Sequence, residues 1–216
     1  MLYLLIGMKS ETGAVQRGRP RAFDPDAALE RAMHVFWAKG YEGASLSNLT
    51  RAMRINRPSL YAAFGNKEEL FRKVLDRYMD GPLAYFRKAL AAPKARDVIE
   101  QIFFGAAQMA GDPRIQAGCL MVQGALAVGD AAGSVRKQAA GRRAASEVAL
   151  RRRFQQAKRE GDLPKDANPG DLAGYVMTVV RGMAVQSAGG AAPGCFLPNR
   201  PRRISDRQRT LNHEAS

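Results

Sequence analysis

The stretch Ser45-Leu-Ser-Asn-Leu-Thr-Arg-Ala-Met-Arg-Ile-Asn-Arg-Pro-Ser-Leu-Tyr-Ala-Ala-Phe-Gly-Asn-Lys-Glu-Glu-Leu70 reads as two short amphipathic helices joined by a tight turn, with a capped third helix behind them. Leu46, Leu49, Ile55, Leu60 and Phe64 recur at helical spacing and supply a small core, the pattern of a helix-turn-helix. The Ser45 hydroxyl is placed to accept from an orphan amide at the start of the first helix, and Asn56 does the same for the second. Pro58 falls in the second helix's first turn, where a missing N–H costs no intrahelical bond. That helix is expected over Arg57 to Phe64. Leu60 and Phe64 share its inward face, which leaves Arg57, Ser59 and Tyr61 on outward or flanking faces as candidates to meet a DNA groove. Asn66 and Glu69 have capping-box spacing, and Glu68 and Glu69 complement the positive helix end, so both glutamates read as cappers.

Working outward, Asp24-Pro25 opens an earlier helix whose Leu29, Met33, Phe36 and Trp37 form an inward stripe, ended by Gly40. His34 lies off that stripe without converging ligands and reads as structural or solvent-facing. Tyr41 either packs beneath the recognition helix or offers its hydroxyl to a phosphate; its large ring favours packing. Before this helix, Gln16-Arg-Gly-Arg-Pro-Arg21 is a basic arm, and Arg19 and Arg21 are candidates to lie along phosphates or enter a minor groove. A solubilising tail is the alternative reading of the same residues.

Beyond Lys67 the periodicity stays helical, with no alternating β-branched run. Gly81-Pro82 breaks the chain, followed by helices expected over Leu83–Leu90, Arg96–Ala110, Gly118–Val128 and, rich in arginine, Ala131–Glu160. Asn168-Pro-Gly-Asp171 caps a last helix carrying Leu172, Tyr175, Val176, Val179, Val180 and Met183. The fold class expected is all-α: a three-helix helix-turn-helix domain followed by a second helical domain. The divisions fall at 1–17 for a disordered extension, 18–80 for the first domain, 81–188 for the second and 189–216 for an irregular basic tail.

Composition narrows the function. A chain of 216 residues with formal charge +14 and a pI near 10.4 suits a partner of polyanions. No Ser/His/Asp set, metal-ligand spacing or phosphate-cradling loop is legible, so the sequence reads as neither an enzyme nor a metal or cofactor protein. Met1 to Ile6 is too short to span a bilayer and lacks a basic leader; Met8 is a second candidate start. Two unpaired cysteines suit a reducing cytoplasm. Phosphate contacts carry no sequence information, so specificity falls to a few groove-facing side chains and DNA shape. Arg57 is either a bidentate reader of guanine or a phosphate anchor. The arginines at Arg142-Arg143 and Arg151-Arg-Arg153 form either a solvated face or a second basic surface of an architectural DNA binder.

Phe36-Trp-Ala-Lys-Gly-Tyr-Glu-Gly-Ala-Ser45, Leu60-Tyr-Ala-Ala-Phe64 and Lys67-Glu-Glu-Leu70, in that order, resemble the DNA-binding domain of TetR-type transcriptional regulators over roughly Gly18 to Asp80. The resemblance implies phosphate contacts from Ser45, Tyr61 and Lys67, and places Arg57, Pro58 and Ser59 in or beside the major groove. One departure is Asn56-Arg57-Pro58, where many relatives have a small, a basic and again a small residue, so no operator is transferable. The second domain resembles the family more loosely, through Gly118-Cys-Leu-Met-Val122 and the long helix before a capped one. It implies ligand binding and dimerisation: a homodimer on a palindromic double-stranded operator, usually a repressor, answering to a small-molecule effector of unknown identity. Phe103, Phe104, Met109, Cys119, Met121, Tyr175 and Met177 are candidates to line an apolar pocket or are simply core. Cys119 is either a sensor of oxidants or electrophiles or a buried hydrophobe, and its apolar sequence neighbours favour the second. Relatives usually have another amphipathic helix where residues 189–216 turn to Pro, Arg and Ser, which leaves the dimer interface, or the gene's late reading frame, open.

Overall fold

The computed structural model describes residues 23–112, 115–126 (backbone only at 124–126), 132–191 and 195–196. Arg19, Arg21, the extension at 1–17 and nearly all of the basic tail lie outside the described residues. The described residues form nine helices and no strand: α1 (Pro25–Gly43), α2 (Leu46–Met53), α3 (Arg57–Phe64), α4 (Lys67–Asp80), α5 (Ala84–Leu90), α6 (Ala95–Gly111), α7 (Leu120–Leu126), α8 (Gly133–Arg159) and α9 (Pro169–Ala188). The all-α expectation holds.

Caps set the boundaries. Asp24 accepts from the Asp26 amide at 2.9 Å, Asn56 from Ser59 at 2.8 Å and Asn168 from Gly170 at 2.9 Å. Asn66 and Glu69 complete a reciprocal capping box at 2.9 and 3.0 Å. A second box, not foreseen from sequence, joins Ser45 and Asn48 at the head of α2. Between α2 and α3 the turn is closed by Arg54 in the left-handed region (φ 58°), which lets the Ile55 amide reach the Thr50 carbonyl at 3.1 Å. Within α1 the helical geometry breaks at Gly40, as expected.

Two expectations are corrected. The helix predicted from Gly118 starts instead at Leu120, because Gly118 takes φ 86° and turns its carbonyl out to accept from the Trp37 indole. Glu68, read as a capper, accepts from the Gln138 side chain of α8 at 2.9 Å, and Glu69 alone closes the box.

The core of the first four helices does not stop at residue 80. Phe36, Trp37, Leu49, Leu60, Phe71 and Tyr78 form one buried cluster that continues into Cys119–Val122 of α7 and its approach, and into Ala132, the N-cap of α8, and Val135 and Ala139 within it. Phe36 and Phe71 meet edge to face at 4.9 Å, and Trp37 and Tyr78 at 4.8 Å. A second cluster joins α5, α6, α9 and the distal half of α8 around Phe86, Ile102, Leu150, Phe154 and Val176. Leu29, Leu46 and Ile55, predicted as core, are only partly buried.

Candidate nucleic-acid interface

Helix α3 is anchored from below by the buried Leu60 and Phe64. Arg57 and Pro58 are exposed at its start, Ser59 is half-buried beside them, and Tyr61 is 48% exposed one turn on. The opposite faces are set by the fourfold spacing of the two anchors. Arg57 donates from Nη2 to Ser47 Oγ at 3.3 Å, which lays its guanidinium across the turn towards α2. Ser47, Thr50, Arg51, Arg54, Ile55 and Asn56 surround a shallow hollow beside it; hydrophobic patterning passed over Ser47, Thr50, Arg51 and Arg54 because none of these side chains belongs to the core. The Ser45 hydroxyl is occupied in capping, donating to Asn48 Oδ1 at 2.8 Å.

Lys67 opens α4 with its ammonium 4.4 Å above the Tyr41 ring. Burial lowers its affinity for the proton, partly opposed by Glu42. The Tyr41 ring stacks on Phe36 of α1 at 6.1 Å and meets Phe71 of α4 edge on at 5.2 Å, so it packs against α1 and α4 and not beneath the recognition helix. Its phenol holds its proton more tightly than usual, through burial first and then the neighbouring Glu68 and Glu42 carboxylates. Lys73 closes the far end of α3 by donating to the Ala63 carbonyl at 3.1 Å. His34 is solvent-facing, 3.6 Å from Glu30.

Several α8 arginines prove to be internal ties. Arg142 pairs with Asp76 of α4 at 2.5 Å, Arg143 donates to the Met121 carbonyl, and Arg153 donates to the Ala92 and Pro93 carbonyls at 2.8 Å. Of the two clusters only Arg151 and Arg152 are exposed, so the five arginines do not form one solvated basic face.

A cavity of about 60 Å³ lies between α5, α6, α7, α8 and α9, against the end of α4. Of the residues proposed for a pocket, Met109, Cys119, Met121 and Met177 line it. Phe103 packs among the second cluster and its extension towards Met183 instead. Phe104 and Tyr175 face outward, 44% and 67% exposed, because they sit on the opposite faces of α6 and α9. Arg143, Ser146 and Arg181 add a polar edge that the sequence did not mark. Among the described residues no cluster of three metal-ligating side chains occurs, and no helix is long and apolar enough to cross a membrane.

A helix-turn-helix with a buried inner face and an arginine, a serine and a tyrosine on its outer side defines the class of DNA-binding regulators. Residues 28–74 match the family described as bacterial regulatory proteins, tetR family, and residues 95–189 match the tetracyclin repressor-like C-terminal domain. The HTH-type transcriptional repressor ComR of Escherichia coli (strain K12) is 34% identical over 178 residues, covering 82% of this chain and 85% of ComR. BdcR, an HTH-type transcriptional repressor of the same strain, is 47% identical over 62 residues, 29% of this chain and 32% of BdcR. Among solved structures, a cysteine mutant of the TetR family transcriptional regulator CifR, complexed with 26-bp double-strand operator DNA, superposes with a TM-score of 0.78 at 38% identity, over 90% of this chain and 98% of that one. The chain belongs to the TetR family of DNA-binding transcriptional regulators.

Proposed function

We propose that this chain is a cytoplasmic homodimeric repressor that leaves a palindromic operator when a small molecule occupies the cavity. The observation that carries the reading is that the cavity and the DNA-binding unit share walls. Met79 and Leu83, at the end of α4 and just beyond it, line the cavity, and α4 begins at Lys67 beside the recognition helix. Gly118 lines it too and is hydrogen-bonded to Trp37 of α1. A molecule that prefers a shifted α4 or α7 thereby disfavours the half-site spacing DNA requires, and lowers operator affinity by its own differential affinity.

In this reading Ser45, its hydroxyl turning from Asn48 Oδ1 to the DNA, holds a phosphate together with Tyr61 and Lys67, Arg57, Pro58 and Ser59 face the major groove, and Arg19 and Arg21 lie along phosphates or enter a minor groove. Two recognition helices about 34 Å apart read successive grooves. Support comes from ComR and BdcR, both named as repressors, and from the CifR complex with operator DNA. The test is a mobility-shift titration on the chain's own upstream promoter against a scrambled fragment at two salt concentrations. Selective, saturable binding as a dimer supports the reading. Equal binding to both fragments refutes it.

A second reading, release by alkylation or oxidation of Cys119, is favoured by one observation. Cys119 is 8% exposed and lines the cavity together with Arg143, a cation its apolar sequence context hid. If Cys119→Ser protein releases DNA in response to an electrophile as wild type does, this reading falls.

A further inference from the structure

The polar edge of the cavity is lopsided in charge. Most of its wall is apolar, with Leu83, Phe86, Met121, Val122, Met177 and Val180 facing the space, and Tyr85, Ser146 and Ser187 add neutral hydroxyls. Against that wall stand two guanidiniums, Arg143 from α8 and Arg181 from α9. Arg143 donates to the neutral Met121 carbonyl, and among the described residues no carboxylate pairs with it. Arg181 donates from Nη2 to Glu147 at 3.0 Å and to the Arg143 carbonyl at 3.4 Å, while its Nε is buried without a partner among the described residues. Glu147 thus pairs with Arg181 alone and leaves the charge of Arg143 without a carboxylate among the described residues. Burial and the nearby Arg181 both weaken the hold of Arg143 on its proton, as expected where two like charges share a poorly hydrated site. A buried donor with no acceptor is costly unless something supplies one.

We propose that the cavity takes a compact apolar molecule bearing a single carboxylate, its oxygens received by Arg143 and Arg181 and its hydrocarbon part by the methionine and aliphatic wall. The planar fork of a guanidinium matches a carboxylate, and a monoanion tolerates the apolar surroundings better than a strongly hydrated phosphate. A space of about 60 Å³ selects for size, admitting only a few water-sized groups before side chains must move. The inference deepens the effector-controlled reading above and rests on it for its biological meaning, but the binding itself is separable.

Trp37, the single tryptophan of the chain, supplies the readout, because its indole is bonded to the cavity-lining Gly118 carbonyl at 3.3 Å. Purified full-length protein is titrated with isobutyrate, isovalerate and pivalate and with the corresponding neutral amides, following Trp37 emission and thermal unfolding. The acids are expected to give saturable shifts, with the amides weaker by about tenfold or more. Arg181→Met should abolish that preference. Glu147→Gln, which removes the competing carboxylate, should tighten acid binding and leave amide binding unchanged. Should Arg181→Met fail to fold, Glu147→Gln decides alone. Equal binding of acids and amides, no saturable shift with any acid at millimolar concentration, or no gain in Glu147→Gln overturns the proposal. Adding promoter DNA separates the two claims. If the acids bind and the DNA complex persists, the release mechanism falls and the site stands. If acids and amides bind alike and a neutral compound nonetheless releases DNA from wild type, the carboxylate site falls and the release mechanism stands.

Discussion

The indole N–H of Trp37 in α1 donates to the carbonyl of Gly118, 81 residues further along the chain. This bond joins the first helix of the DNA-binding unit to the turn that opens α7 and lines the cavity. Trp37→Phe keeps most of the apolar surface and leaves that buried carbonyl without its donor. The expected loss of stability is about 1–3 kcal/mol, measured by urea unfolding. Unchanged stability would show that water replaces the bond.

Arg57 and Lys67 should separate in their effects on DNA. Arg57 is exposed at the start of α3 and reaches only as far as Ser47, so Arg57→Ala is expected to relax discrimination at one operator base pair by about 1–3 kcal/mol. Lys67→Ala should weaken binding to all sequences alike and reduce the salt slope by about 1. Competition binding at fixed salt, followed by a salt titration, checks both. A uniform loss in Arg57→Ala would assign it to a phosphate.

Gly65 ends α3 at φ 77°, and a Cβ there would overlap the Glu69 carboxylate that closes the α4 capping box. Gly65→Ala therefore combines left-handed backbone strain with a displaced cap, for an expected cost of about 1–3 kcal/mol in thermal or urea unfolding. A neutral result would mean that Glu69 swings aside freely.

Asp76 of α4 and Arg142 of α8 are paired at 2.5 Å in a partly exposed position. A double-mutant cycle with Asp76→Asn and Arg142→Met should give a coupling of about 0.2–1 kcal/mol, smaller at high salt. A coupling that is zero at low salt would show that the pair contributes only geometry.

The chain's own local chemistry determined the helix-turn-helix. Caps at Asp24, Ser45, Asn56, Asn66 and Asn168 act over two or three residues, and the anchors Leu60 and Phe64 are one turn apart, so their consequences are readable from spacing alone. The exposed faces of α3 followed from the same periodicity. In the second half of the molecule the helices too were legible, but only the tertiary structure decided how they pack. Apolar residues at helical spacing mark an inward face without saying which neighbour it meets, so Met109 and Met177 face the cavity while Phe104 and Tyr175 face solvent. The partners of Glu68, Arg142 and Arg143 lie 70, 66 and 22 residues away, and pairings over such distances depend on how rigid helices are rotated and stacked. For that reason the α8 arginines looked like a charged surface in the sequence and became ties between helices and the polar edge of a cavity in the fold.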